Sequence, residues 1–446
     1  MRVLRKASPE DGILGQGLLE EYSGKTFVKA YWEVLMELPE NVRNIISTIE
    51  KNGCEAYAVG GCVRDTLMGK TPSDWDITTS ALPMQVKSMF GRTVDTGLKH
   101  GTVTVMIGKT GYEVTTYRID GEYKDGRHPE SVEFALNLVE DLKRRDFTIN
   151  AMAYNDKNGL VDEFDGRGDL ERKVIRCVGN PMERFTEDAL RMMRAIRFSA
   201  QLSFDIHPDT YDAINKLSDT IKQVSMERIQ VELTKTLVSD NPEKVELFYS
   251  TGIFAAVLPE ISRIFEGRYR QNALCMVRFT ENTPVLRYAA LLNSLEPEEA
   301  RSLLKRLKMD NHTVDSVTAI VANSKGKIEE NEPAIREALN RLGKDLMNNL
   351  LIHSEALAKA KEEITGVKLY GTHNHIVAVR KMMEGIIDRG DCFTIKDLDI
   401  TGNDLIEYGM SGSQIGRTLN ELLHVVMDNP KLNDKATLIA MLDHFQ

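Results

Sequence analysis

The sequence changes texture once, near Asp169, and that change limits the architectures open to it. Upstream, β-rich runs (AYAVGG, WDITTS, TVTVMIG, YEVTTYRI) alternate with glycine-punctuated turns and one helical stretch, PMQVKSMFG. Downstream, apolar residues recur every three or four positions through ERFTEDALRMMRAIRFSAQL, MERIQVELTKTL, VLRYAALLNSL and TLNELLHVVM, with almost no strand signal. Such a chain is an α+β head followed by a long, all-helical remainder. With 446 residues, 42% of them hydrophobic, it can fill several cores.

Composition removes other classes. No run of about 18 uncharged apolar residues is present, and the N-terminus lacks a basic-then-apolar leader, so the expected compartment is the cytoplasm. The five cysteines, Cys54, Cys62, Cys177, Cys275 and Cys392, are an odd number without a CxxC pair, which fits neither a disulfide framework nor a zinc site. A net charge of −10 means that any RNA partner must be held by local basic patches.

The segment YAVGGCVRDTLMGKTPSDWDITTSA carries the first chemistry. Gly60 and Gly61 follow an apolar strand, permit close backbone approach to a triphosphate, and precede a helix bearing Arg64, which can pair with phosphate oxygens bidentately. Asp74 and Asp76 are expected on the next strand, where alternation points them to one face about 7 Å apart. Two like charges so close call for a counter-ion, and Mg²⁺ suits carboxylate and phosphate oxygens. Glu113 is the candidate third carboxylate, on a hairpin expected to turn through Lys109, Thr110 and Gly111; its other reading is a solvated strand acid.

In DLKRRDFTINAMAY, Arg145 can reach phosphate or ribose. Asp146 and Asn150 have two readings: orienting the arginines and accepting from ribose, or an ordinary helix start capped by Asp146. In NPMERFTEDALRMMRAIRFSAQL, helical spacing puts Leu190, Met193, Ile196 and Ala200 on one face, and Asp188, Arg191, Arg194 and Arg197 on the other. A solvated, ion-paired face is the ordinary reading of such charges. An Asp acceptor beside an Arg donor, however, matches the Watson–Crick edges of C and A and opposes those of G and U, so side chains alone can choose the base.

GGCVRD followed by DWD, RRDFTINAMA, ERFTEDALRMMRAIRF and MERIQVELTK, in this order, resembles the signature motifs of class II tRNA nucleotidyltransferases and bacterial poly(A) polymerases, over residues 36–237. The resemblance implies a polymerase-beta-like nucleotidyltransferase head followed by an all-helical neck, body and tail. It implies Asp74 and Asp76 as metal ligands, and Gly61, Arg64 and Arg145 as nucleotide-holding residues. Asp188 and Arg191, in the motif that Glu187 opens, become the amino-acid template, and Arg194 and Arg197 contact triphosphate. Asn180 stands where the family has Asp, keeping a cap-forming oxygen but losing a charge. The expected division is an extension of uncertain role at 1–35, the head at 36–168, the neck at 169–266, the body at 267–365 and the tail at 366–446.

Within that family, YRIDGEYKDGRHPESVEF resembles a flexible loop retained by members that add the terminal A. The segment from Ile395 to Asn433 resembles the tail of CCA-adding members, which holds the tRNA elbow. The expected activity is therefore template-independent, Mg²⁺-dependent addition of C, C and A to the tRNA 3′ end from CTP and ATP. A-adding and poly(A)-adding enzymes are the alternatives, and a non-catalytic RNA-binding protein a remote one. Asn293 and Ser294 stand where some relatives carry a hydrolase His-Asp dyad, so no hydrolase is expected.

Overall fold

The computed structural model describes residues 36–120, 132–135 and 137–442. The extension at 1–35 and most of the loop taken as a mark of A addition lie outside the described residues.

Helix α1 (Glu40–Lys51) starts after Pro39, whose fixed φ suits a helix start, and buries Val42, Ile45, Ile46 and Ile49. The head continues with β1 (Ala56–Val59), α2 (Gly61–Leu67), β2 (Ile77–Thr79), α3 (Pro83–Met89), β3 (Thr93–Gly97), β4 (Thr102–Ile107), β5 (Thr110–Thr116), β6 (Arg118–Asp120), β7 (Val132–Phe134), α4 (Leu138–Lys143), β8 (Ala153–Asn155) and β9 (Gly159–Val161). Seven strands form one mixed sheet in the order β3-β4-β5-β2-β1-β8-β9, while β6 and β7 pair separately. Only the β2–β5 pairing within the large sheet is parallel. On β1, Ala56 and Ala58 pack with Val42, Ile45, Ile77 and Val114, whereas Tyr57 and Val59 pack with Tyr117, Leu142 and Ala153. The sheet is thus covered on both faces, and its alternation separates two small cores.

Two local expectations are corrected. The β4–β5 hairpin turns at Gly108 and Lys109, with Ile107 opposite Thr110, because Gly108 takes the left-handed φ of +61°. Gly111 is a strand residue facing Met106, and a Cβ there would lie 2.8 Å from Thr104 Cγ2. The pair Asp74 and Asp76 precedes β2 instead of lying on it.

After α5 (Gly166–Arg172) the described chain is almost wholly helical, beginning with α6 (Pro181–Glu187), α7 (Leu190–Leu202), α8 (Pro208–Leu217) and α9 (Met226–Leu237). One continuous apolar core runs from Phe147 to Ala360, and another runs from Ile335 to Leu442. No described helix is long and apolar enough to cross a membrane. All five cysteines are free thiols, and Cys54 alone among them is not buried.

Candidate active site

The site is built where β1 leaves the sheet. Gly60 reverses the chain into α2 with φ +82° and ψ −126°, and a Cβ at that position would lie 2.9 Å from Arg145 Nη1. A Cβ on Gly61 would meet Arg64 at 3.7 Å, an ordinary contact, so geometry demands only the first glycine of the pair. Because β1 departs at Gly60, β2 has no antiparallel partner before Ile77; the Val59 N–H donates to the Asp76 carbonyl (3.0 Å) and the ladder ends there. Asp74 and Asp76 therefore stand at the open end of β2, both exposed.

On the other side of β2, Ile77 pairs with Val114 in parallel register, so one step back sets Asp76 beside Glu113. The Asp76 carboxyl is pushed up to about 6, first by the protein packed around it, then by Asp74 and Glu113, against the pull of Arg145. Since Asp76 still reaches solvent, the like-charge crowding is the firmer of these causes. Among the described residues no three His, Cys, Asp or Glu side chains converge as a preformed ligand cluster, and Glu113 stands beside the pair.

Asp141, which sequence reading passed over, organises the next layer. It is fully buried at the end of α4, accepts from the Thr78 hydroxyl of β2 (3.0 Å) and from Arg144 Nε (2.9 Å), and lies 3.5 Å from Arg145 Nη2. Burial alone would raise its pKa, but Arg144 and Arg145 outweigh burial and hold the carboxyl below its ordinary range. The signal was present: in DLKRR the acid sits three and four residues before the arginines, on one helical face. Arg145 keeps its Nε buried with no hydrogen-bond partner among the described residues.

No capped α-helix starts at Asp146. Residues Thr148–Asn150 form a single 3₁₀ turn whose N-cap, Phe147, makes no side-chain capping bond. Asp146 is buried, accepts from Arg194 Nε on α7 (2.8 Å) and from the Asn150 amide (3.1 Å), and lies 2.6 Å from Arg194 Nη2 in an ion pair. Asn150 in turn accepts from Arg64 Nη1 (2.7 Å), and Arg64 pairs with Asp65 (2.7 Å). A polar chain thus runs Asp65–Arg64–Asn150–Asp146–Arg194 from α2 to α7. Burial opposes charge on Asp146, yet Arg194 and Asn150 prevail and lower its pKa to about 2.

The charges around α7 do not form the solvated face that is the ordinary reading of such spacing. Asp188 lies before the helix in extended backbone (φ −141°, ψ 104°), where its side chain accepts from Leu190 N (3.0 Å) and from Arg228 Nη2 of α9 (2.8 Å). Arg191 donates to Glu187 (2.6 Å) and to the carbonyls of Arg184 (3.2 Å) and Arg144 (3.0 Å). Arg197 is buried and pairs with Glu232 of α9 at 2.6 Å. Arg228 and Glu232, four apart on α9, were not singled out from the sequence; they pair with charges flanking and within α7. Asn180 caps α6 by accepting from Met182 N (3.0 Å), the role its oxygen was expected to keep.

The arrangement places acids at the mouth of β2, Arg145 behind them, and Arg64, Arg194 and Arg197 on the adjoining surfaces of α2 and α7. This is a cation-seeking edge next to a phosphate-seeking wall.

Comparison with known proteins identifies the family. Residues 56–176 match the family model described as the poly A polymerase head domain, 203–265 a model for an RNA- and SrmB-binding site of polymerase A, and 279–442 a tRNA nucleotidyltransferase domain 2 model. The CCA-adding enzyme of Levilactobacillus brevis is 37% identical over 92% of this chain and 98% of its own. That of Geobacillus kaustophilus is 36% identical over 90% and 96%. The crystal structure of the Bacillus stearothermophilus CCA-adding enzyme in complex with CTP superposes with a TM-score of 0.70 at 31% identity, covering 90% of this chain and 96% of that one. With at least 90% of its length matched in this way, the chain belongs to the family of CCA-adding enzymes, the tRNA nucleotidyltransferases.

Proposed function

We propose that this chain adds C, C and A to the 3′ end of tRNA without a nucleic-acid template, using CTP and ATP and releasing pyrophosphate. The observation that carries the reading is the crowding of Asp74 and Asp76 within the field of Arg145, which is anchored on Asp141 through Nη2 while its buried Nε has no partner among the described residues. Crowded acids call for a cation, and the guanidinium beside them can take a further anion, which is what a metal–triphosphate substrate supplies.

Mg²⁺ is the proposed cofactor, held by Asp74 and Asp76. Two carboxylates suffice, because Mg²⁺ usually takes its remaining ligands from water and substrate phosphates, and Glu113 adds negative potential beside them. When bound, the ion stabilises charge on the α-phosphate and on the departing pyrophosphate. In the reaction the tRNA 3′ oxygen attacks the α-phosphorus, a new O–P bond forms, the bond to pyrophosphate breaks, and the hydroxyl proton passes to solvent. Arg64, Arg145, Arg194 and Arg197 hold the triphosphate at the mouth created by the Gly60–Gly61 turn. Asp146 and Asn150 keep Arg194 and Arg64 aimed. Asp188 and Arg191 present an acceptor and a donor to the base, and Arg228 and Glu187 fix their orientation.

In this reading 36–168 is the catalytic head, 169–266 the neck, 267–365 the body, and 366–446 the tail that grips the tRNA elbow. The enzyme works in the cytoplasm.

The test offers the purified protein tRNA lacking CCA, tRNA ending in C, tRNA ending in CC, and unstructured RNA, with each nucleoside triphosphate in turn. Ordered C, C, A incorporation is expected. Incorporation of A alone, only onto the CC-ended tRNA, would overturn it in favour of an A-adding enzyme, and long A tails on unstructured RNA in favour of a poly(A) polymerase. Asp74→Ala is expected to abolish every transfer while tRNA binding persists.

A further inference from the structure

The ring of Phe198, 6% exposed on α7, gathers three guanidinium groups. The Cζ atoms of Arg197, Arg64 and Arg194 lie 4.0, 5.2 and 5.4 Å from its centroid. Arg64 comes from the head and the other two from α7 itself, so one ring spans the junction. Each arginine also has an acid of its own: Asp65, Asp146 and Glu232 respectively for Arg64, Arg194 and Arg197. Phe147 packs its edge against Phe198, with centroids 5.8 Å apart and planes at 82°.

Three cations around one ring repel one another, and the acids neutralise them and hold each from one edge. An aromatic face adds a contact to the flat side: its quadrupole attracts the cation, and its flat surface favours a stacked or edge-on fork. A fork so held has fewer conformations to lose when it binds a second anion. A cation–π contact removed from water is stronger than the same contact at the surface, and this ring is nearly sealed.

We propose that Phe198 is a positioning residue for the triphosphate: it orients Arg64, Arg194 and Arg197 together, and so sets affinity for the phosphates of CTP and ATP alike without touching base choice. This rests on the reading of those three arginines as triphosphate contacts. The ring acts through them and meets no substrate itself.

The experiment measures binding of inorganic tripolyphosphate, a base-free probe, to the full-length enzyme, together with KM and kcat for CTP and ATP. Phe198→Leu removes the quadrupole and keeps a buried apolar side chain. It should weaken tripolyphosphate binding on the order of tenfold and raise KM for both nucleotides by the same factor, leaving the CTP-to-ATP preference as it was. Phe198→Tyr should restore affinity. Phe147→Leu disturbs the same aromatic contact without facing an arginine; it should lower thermal stability and leave tripolyphosphate binding unchanged.

Arg194→Ala and Arg197→Ala separate the two ideas. If neither weakens tripolyphosphate binding, the arginine assignment itself fails. If both do while Phe198→Leu binds like wild type, or if Phe147→Leu loses as much affinity as Phe198→Leu, the proposal for the ring is overturned.

Discussion

Asp146 accepts a hydrogen bond from Arg194 Nε at 2.8 Å and forms an ion pair with its Nη2 at 2.6 Å, across the seam between the sheet-bearing head and helix α7. Its pKa of about 2 lies below that of an unfolded carboxyl, so the ionised form favours the folded protein. That contribution is complete above about pH 4 and disappears as pH falls toward about 2, with a size of about 2 kcal/mol. Chemical denaturation followed across this window should show a shallower pH slope for Asp146→Asn than for wild type, and equal slopes would remove Asp146 from the acid response.

Asp141 makes a different prediction, because it joins β2 to the two arginines. Asp141→Asn leaves Arg144 and Arg145 without their shared carboxylate and should cost about 1–3 kcal/mol in denaturant unfolding. It should also weaken nucleotide binding, because Arg145 loses its anchor. A variant as stable as wild type with unchanged KM would show that Thr78 and the helix hold α4 in place unaided.

At Gly60 the backbone itself is the requirement. Gly60→Ala forces a side chain into φ +82° and against Arg145 Nη1 at 2.9 Å, a combination that should cost about 1–3 kcal/mol. Gly61→Ala meets Arg64 at an ordinary 3.7 Å and should be several-fold milder in both melting temperature and activity. Equal losses at the two positions would contradict the geometry.

Base selection is tested at Asp188 and Arg191. Asp188→Ala and Arg191→Ala should make UTP or GTP usable while overall transfer persists, read out by sequencing the extended tRNA ends. Arg228→Ala leaves the Asp188 carboxylate without its ion pair and should blur selection in the same direction, more weakly. Variants that lose all activity with selectivity intact would sink the edge-matching account.

The residues legible in the sequence are those whose meaning is local. The GG turn, the acid pair and the cap at Asn180 each depend on neighbours within a few positions; the turn follows β1 and Asn180 caps α6 as read, while the acid pair stands just before β2 instead of on it. Asp188 was assigned to a helix because TEDAL contains no glycine or proline to mark the break between α6 and α7. The hairpin turn was misplaced because Gly108 and Gly111 are both possible pivots; what decides between them is Thr104 across the ladder, which leaves Gly111 no room for a side chain. Arg228 and Glu232 escaped notice for a related reason. Their partners lie about forty residues away in sequence, at Asp188 and Arg197, so periodicity on α9 shows only an amphipathic helix.

The unbroken apolar core from Phe147 to Ala360 bears on how the protein can be recombined. Exchanging only the helices near α7 for those of a relative would cut through a single interior and leave mismatched side chains on both sides of the join. The second interior, from Ile335 to Leu442, overlaps the first along the helix Lys344–Thr365, which gives Leu350 and Ala360 to one and Met347 and Leu351 to the other. A chimera joined near Gly267 or near residues 326–331 therefore divides the first interior in either case and should be recovered mainly as aggregate, unless the residues facing that helix are exchanged with it.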